Sequence, residues 1–187
     1  MADSTLTPPS PSLARMQAWD LSLCRLLNRA NGREYVGRVF ALFSRLGDGV
    51  FWYVLMALLP LLHGPGALAV SLQMAVTGAA GLTIYKWLKA RTSRPRPFMV
   101  SDNIIRRVPP LDEYSFPSGH TLHAVAFSIV LLSHLPEWFW VVAPFTALVA
   151  ISRPVLGLHY PSDVLAGAAI GALVAGTSIS LASLLLA

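Results

Sequence analysis

The chain alternates long apolar runs with short polar ones, and the runs are too long and too evenly apolar for strands of a soluble fold. Four segments, Ala67 to Lys89, Gly119 to His134, Phe139 to Ile151 and Val164 to Ala187, lie near or somewhat below the ~20 apolar residues that cross a hydrocarbon core. A fifth, Gly49 to His63, holds only 15 residues, so it spans a bilayer only by borrowing apolar positions from the segment before it or by thinning the membrane. Lipid cannot satisfy free backbone groups, which makes all five helices. Upstream, Met16 to Asn31 mixes Trp19, Leu23 and Leu27 with Asp20, Arg25 and Arg29, and Tyr35 to Leu46 is amphipathic in the same way. Both suit helices lying at the membrane interface. Residues 1 to 13, rich in Ser, Thr and Pro with no apolar core of their own, read as a flexible tail and not as a signal peptide. The expected organisation is therefore all-α: a tail over 1–13, interfacial amphipathic helices over 14–46, and a polytopic membrane bundle of about five spans over 47–187.

Composition strengthens this picture. Of 187 residues 55% are hydrophobic and 12% charged, about half the charge of an average soluble domain, and the mean hydropathy is +0.59. Disorder and a disulfide-stapled secreted module are both excluded, the latter because Cys24 has no second cysteine to pair with. Fourteen Lys and Arg against nine Asp and Glu give a net charge of +5. On so apolar a chain that excess points to an anionic membrane or an anionic lipid, and not to nucleic acid. Five alternating spans put the N-terminal arm, the loop from Ala90 to Ser118 and the turn from Ser152 to Asp163 on one face. Every Lys and Arg lies on that face or within a helical turn of it. Gly167, Gly171 and Ala175, four residues apart on the last span, allow close helix approach, and packing within the chain is the plain account of them.

Three motifs share the basic face. Lys89 is followed after six residues by Arg96-Pro97; taken alone, this is a charged span flank. Pro117-Ser118-Gly119-His120 stands where the loop enters a span. There Ser118 can cap the helix, Gly119 lets a ligand approach the backbone, and the free N–H groups of the first turn favour an anion. Ser152-Arg153, His159 and Asp163 bridge the last two spans, and charge is costly to keep at a membrane edge. The four-residue separation of His159 and Asp163 places both on one helical face, Pro161 notwithstanding. A carboxylate beside one imidazole nitrogen fixes the tautomer and frees the other nitrogen to attack. His120 and His123 have the spacing of a metal pair but lack a third ligand, and zinc needs three or four. Together the motifs supply cations, a helix N-terminus, two histidines and one carboxylate, the inventory that phosphoryl transfer requires.

In the order K-x6-RP, PSGH and SR-x5-H-x3-D, and without a substitution from Lys89 to Asp163, these motifs make the sequence resemble the type 2 phosphatidic acid phosphatase superfamily. The resemblance implies a membrane lipid phosphatase in which His159 is the nucleophile and forms a phosphohistidine, Asp163 orients it, and His120 protonates the leaving group. Lys89, Arg96, Ser118, Gly119 and Arg153 would hold the phosphate oxygens, with neither metal nor cofactor. Two histidines in different environments can divide base and acid roles near neutral pH.

The implied substrate is a lipid phosphate or diphosphate whose tail stays in the bilayer, with a polyprenyl diphosphate such as undecaprenyl diphosphate first. Phosphatidic acid and phosphatidylglycerophosphate are the alternatives. Arg106 and Arg107 would either meet a second phosphate or be loop charge balanced by Asp102, Asp112 and Glu113. Vanadate-dependent haloperoxidases resemble the same motifs but are soluble, and a transporter of anionic lipids would need the cations but not an oriented imidazole. The resemblance to small bacterial members implies a multi-pass protein of a bacterial inner membrane; the positive-inside rule turns its basic face to the cytoplasm, whereas relatives that recycle exported lipid carriers imply the outer face.

Overall fold

The computed structural model describes residues 11–186, so the tail expectation lies outside the described residues except at 11–13, which open the first helix. Eight α-helices follow in order: α1 Pro11–Asn28, α2 Glu34–Arg45, α3 Phe51–His63, α4 Ala67–Thr92, the single turn α5 Pro97–Val100, α6 Gly119–His134, α7 Phe139–Val155 and α8 Pro161–Leu186. Four stretches are long and apolar enough to cross a membrane: Glu34–His63, Ala67–Val100, Pro136–Val155 and Pro161–Leu185. The 15-residue run that opens at Gly49 does borrow length, because α2 and α3 join through the kinked turn Leu46–Val50 into one 30-residue stretch. A boundary after residue 46 therefore falls inside that stretch, at its kinked turn. The kink depends on Gly49, whose φ of +125° a side chain rarely tolerates and whose Cβ would come 2.6 Å from the Tyr53 ring.

Helix α6, 16 residues or about 24 Å, is not among those four stretches. It does not face lipid alone, since α4, α7 and α8 all pack against it. Its contact with α8 is the closest: a Cβ on Gly167 would lie 2.5 Å from the Ser118 carbonyl, and one on Gly171 would run into that of Leu122. Ala175 continues the same buried stripe. The four-residue spacing of small residues thus serves packing within the chain, bringing backbones together as membrane helices do.

One apolar core, with Trp52, Leu59, Met74, Phe127, Leu131, Val142, Phe145 and Val149 among its buried members, fills the bundle, and Phe51 stacks on Phe145 with ring centroids 3.8 Å apart. Large apolar side chains also point outward: Leu61, Leu72, Val76, Trp140, and the stripe Leu165, Leu173, Leu181 and Leu184 on α8. An outer surface of this kind is stable in hydrocarbon and not in water. A smaller cluster of Cys24, Ile104 and Tyr160 seats α1 over the loops at one end of the bundle. That end carries every motif residue.

Candidate active site

Three joints of the backbone bring the motifs together. Ser118 caps α6, its Oγ accepting from the Thr121 N–H at 3.5 Å, while its own N–H donates to the Asp163 carbonyl at 3.0 Å. The Ser115 N–H donates to the Arg94 carbonyl at 2.8 Å, tying the long loop to the segment after α4. Between α7 and α8 a tight turn folds back on itself, with the Leu158 N–H donating to the Arg153 carbonyl at 3.0 Å. Lys89, Arg96, Ser118, Arg153, His159 and Asp163 are consequently all buried within one end of a membrane bundle.

Asp163 and His159 do meet, though not on a shared helical face. His159 lies in the turn before α8 and Asp163 in its first turn. Asp163 Oδ2 is 3.7 Å from His159 Nδ1, an ion-pair distance too long for a hydrogen bond. Nδ1 is left without a hydrogen-bond partner. The carboxylate is instead held from three sides: Arg94 Nη1 donates to Oδ1 at 2.6 Å, and Ser115 Oγ at 2.5 Å and the Tyr160 N–H at 2.9 Å donate to Oδ2. Arg94 is anchored in turn by Asp20 of α1 at 2.7 Å, which also accepts from the Ser162 N–H at 3.0 Å and from the Ser162 hydroxyl. The opposite nitrogen, His159 Nε2, lies 3.3 Å from Arg96 Nη1. Guanidinium has no acceptor, so this contact requires a lone pair on Nε2 and puts the proton on Nδ1, facing Asp163. Burial, followed by the charges of Arg153, Arg96 and Lys89, holds His159 well below the ordinary imidazole range, so the ring is neutral at pH 7.

His120 occupies a different setting. Its side chain reaches the cavity at the start of α6, and its acidic neighbour is Asp48, with Oδ1 3.6 Å from His120 Nε2. Asp48 stands in the kinked turn between α2 and α3, which the conformation of Gly49 aims at the site. His123 also lines the cavity, but both its ring nitrogens face backbone carbonyls: Nδ1 lies 2.8 Å from that of Gly119 and Nε2 3.1 Å from that of Gly78. Among the described residues no three His, Cys, Asp or Glu side chains converge as a metal site would require.

The cations are not loose charge. Arg153 Nη1 donates to Ser44 Oγ at 2.5 Å. Lys89 Nζ donates to the Tyr114 carbonyl at 2.6 Å and to Asp112 Oδ1 at 2.8 Å, and Arg96 Nη2 reaches the same Asp112 oxygen at 2.5 Å. Burial alone would raise the Asp112 carboxyl, but the bonds and charges of Lys89 and Arg96 outweigh it and hold the group below the usual carboxylate range. Arg107 is spent elsewhere, on the Asn31 side chain at 3.0 Å and the Asn31 carbonyl at 3.1 Å, where it ties the long loop to the turn between α1 and α2. Arg106 lies over the Phe98 ring, 5.0 Å from its centroid.

These groups open on a cavity of about 420 Å³. Asp48, Arg96, Asp112, Gly119, His120, Arg153 and His159 form its polar end; Trp52, Met56, Ala79, Leu82 and Phe127 line the rest. Lys89, Ser118 and Asp163 stand behind the polar end and act on the lining through their contacts. The shape suits an anionic headgroup attached to an apolar chain.

The family model described as the PAP2 superfamily matches residues 67–184. The chain belongs to the PAP2 superfamily. It is a membrane lipid-phosphate hydrolase of that type. An undecaprenyl-diphosphatase of Sulfolobus acidocaldarius is 28% identical over 167 residues, covering 88% of this chain and 79% of that protein. Undecaprenyl-diphosphatase BcrC of Bacillus subtilis is 37% identical over 105 residues, covering 56% of this chain and 53% of that one. The crystal structure of a transmembrane PAP2-type phosphatidylglycerolphosphate phosphatase from Bacillus subtilis superposes with a TM-score of 0.73 over 90% of this chain and 87% of its own, at 23% identity, and so shows the shared fold. Aquifex aeolicus LpxE gives 0.69 at 26% identity, over 86% of this chain and 94% of its own.

Sequence reasoning gave no functional role to Asp48, Arg94, Asp112, Ser115 or Asp20, none of which belongs to the three motifs. Arg94 carried a signal, being the first of two adjacent Arg-Pro pairs. Asp48 carried another as an acid flanked by glycines, inside an otherwise apolar approach to a span.

Proposed function

We propose that the protein removes the terminal phosphate of a polyprenyl diphosphate, undecaprenyl diphosphate first, through a phosphohistidine at His159. The observation that carries this reading is the neutral His159 with its Nε2 lone pair turned toward Arg96 at the polar end of an otherwise apolar cavity. Nε2 attacks phosphorus in line and the bond from phosphorus to the bridging oxygen breaks. His120 gives its proton to that oxygen, and the lipid monophosphate leaves. Water then gives a proton to His120 and attacks the phosphohistidine; the N–P bond breaks and orthophosphate departs. Arg96, Arg153, Lys89 and the first-turn N–H groups of α6 stabilise charge on the equatorial oxygens. Five groups, Lys89, Arg96, Ser118, Gly119 and Arg153, thus do the work that a metal clamp does elsewhere, and turnover is expected to persist in excess chelator.

Support for the substrate comes from the two undecaprenyl-diphosphatases among the relatives. Phosphate release by purified protein in detergent, from undecaprenyl diphosphate, phosphatidic acid and phosphatidylglycerophosphate side by side, tests it. Preference for either glycerolipid would overturn the polyprenyl assignment and leave the phosphatase intact. The basic face is proposed to lie in the cytoplasm of a bacterial inner membrane, because the opposite turns carry no Lys or Arg. With Cys24 replaced by Ser and Ser4 by Cys, a membrane-impermeant maleimide is expected to spare intact cells. Labelling would put the site outside, where exported carrier lipids are met.

A further inference from the structure

Two of the cations read as holding phosphate share one carboxylate oxygen. Asp112 Oδ1 accepts from Lys89 Nζ at 2.8 Å and from Arg96 Nη2 at 2.5 Å, the bridging geometry that a phosphate oxygen would adopt between the same groups. Asp112 is no buried strut: its side chain is 34% exposed and it lines the cavity beside Arg96 and His159. Its backbone lies in the irregular segment between α5 and α6, where a residue can swing without unwinding a helix. An anion that binds Lys89 and Arg96 has to take this carboxylate's place.

Resting on the reading of Lys89 and Arg96 as phosphate-holding groups, we propose that Asp112 is a specificity-determining residue: it competes for those two cations and yields to phosphomonoester and diphosphate headgroups but not to phosphodiesters. The argument is one of charge and concentration. A membrane presents phosphodiester headgroups in great excess over any lipid phosphate, and an unguarded pair of cations beside Arg153 would be filled by them. A phosphodiester carries a single negative charge, the same as Asp112, so the exchange gains no Coulomb energy. It also has to beat a tethered group whose effective concentration is in the millimolar range or above, as for short linkers. A terminal phosphate carries about −1.5 to −2 at pH 7 and has three free oxygens. It therefore replaces the carboxylate with charge to spare for Arg153 and the α6 N-terminus.

The test is competitive inhibition of the full-length detergent-solubilised protein by orthophosphate and by dimethyl phosphate, repeated with phosphatidylglycerol in mixed micelles. In the unmodified protein orthophosphate inhibits, whereas dimethyl phosphate and phosphatidylglycerol do so weakly. In Asp112→Asn the inhibition constant for both diesters falls by about tenfold or more, as loss of a competing charge implies, and the diester-to-orthophosphate ratio collapses. Asp112→Glu restores the ratio. Asp112→Ser reads the same ratio should the Asn variant fail to fold. An unchanged ratio in Asn and Ser variants that merely lose turnover would overturn the proposal and leave Asp112 a structural tie. Lys89→Met with Arg96→Gln separates the two layers. Undiminished orthophosphate inhibition there would sink the phosphate-holding reading itself, whereas weakened inhibition with an unchanged ratio in Asp112→Asn sinks only the role of Asp112.

Discussion

The two histidines of the site are built in opposite ways. His159 is fully enclosed, its carboxylate fixed by Arg94, Ser115 and the Tyr160 N–H, and that fixation reaches back to Asp20 on α1. His120, its side chain 10% exposed, lines the same cavity with a carboxylate 3.6 Å away on a glycine-flanked turn. A nucleophile must meet phosphorus along one line, so rigidity and neutrality serve it. A proton carrier has to reach a leaving oxygen and then a water, so freedom of the ring serves it. The difference suggests that mutations on the two sides fail differently.

The largest effect is expected at the rigid side. His159→Ala should abolish turnover, and Asp163→Asn should lower kcat by about 10³- to 10⁴-fold with little change in KM, because orientation acts mainly in the transition state. Steady-state kinetics on a lipid phosphate checks both. Near-normal kcat in His159→Ala would remove the nucleophile.

On the other side the loss should depend on the leaving group. His120→Ala is expected to cost about 10²- to 10⁴-fold on an alkyl phosphate, the usual worth of general acid catalysis. On p-nitrophenyl phosphate, whose phenolate leaves unaided, the first step should be nearly spared. Asp48→Asn should show the same pattern at about tenfold, in proportion to a single charge contact. Equal losses on both substrates would make Asp48 part of the fold and not of the proton path.

A smaller effect separates the catalytic pair from its support. Arg94→Gln should lower kcat by about tenfold, comparable to loss of a buried partner behind a reactive group, and Asp20→Asn by less, with KM held in both. A change in KM without kcat would move Arg94 to the substrate.

How much of this was legible follows from where each signal lives. The span pattern and the three motifs are local, so the helices, the cap at Ser118 and the meeting of His159 with Asp163 could be read from spacing. Helix ends could not, because continuity through residues 46–50 depends on how Gly49 bends against Tyr53. Asp20 and Arg94 are separated by 74 positions and meet through the seating of α1, and no periodicity in the chain records such a contact. Asp112 was legible as loop charge, but its choice of Lys89 and Arg96 over Arg106 and Arg107 depends on tertiary placement. The same holds for Cys24, whose thiol faces the Pro154 and His159 carbonyls and is pushed up to about 12 by burial, then by Asp20 and Asp163.

The finest test of the comparison is the pH profile. Burial of His159 and the charges of Arg153, Arg96 and Lys89 all favour the neutral ring. Attack needs that neutral ring, so the nucleophile is lost only as pH falls through its depressed value, well under the ordinary 6.5. The acid limb of kcat/KM should accordingly lie far below 6.5, and the rate should be independent of His159 ionisation at neutral pH and above. Arg153→Gln removes the first of the neighbouring charges while leaving burial intact. Its limb should move upward by about one unit, the scale on which one nearby charge shifts a pKa, whatever happens to the absolute rate. His120 titrates in the opposite sense, because it must carry a proton to act, and its loss defines the alkaline limb. Asp48→Asn removes the carboxylate that favours that proton and should lower the alkaline limb without moving the acid one. Movement of both limbs in Asp48→Asn would mean that the two histidines titrate as one unit and that their separation into a fixed base and a free acid is wrong.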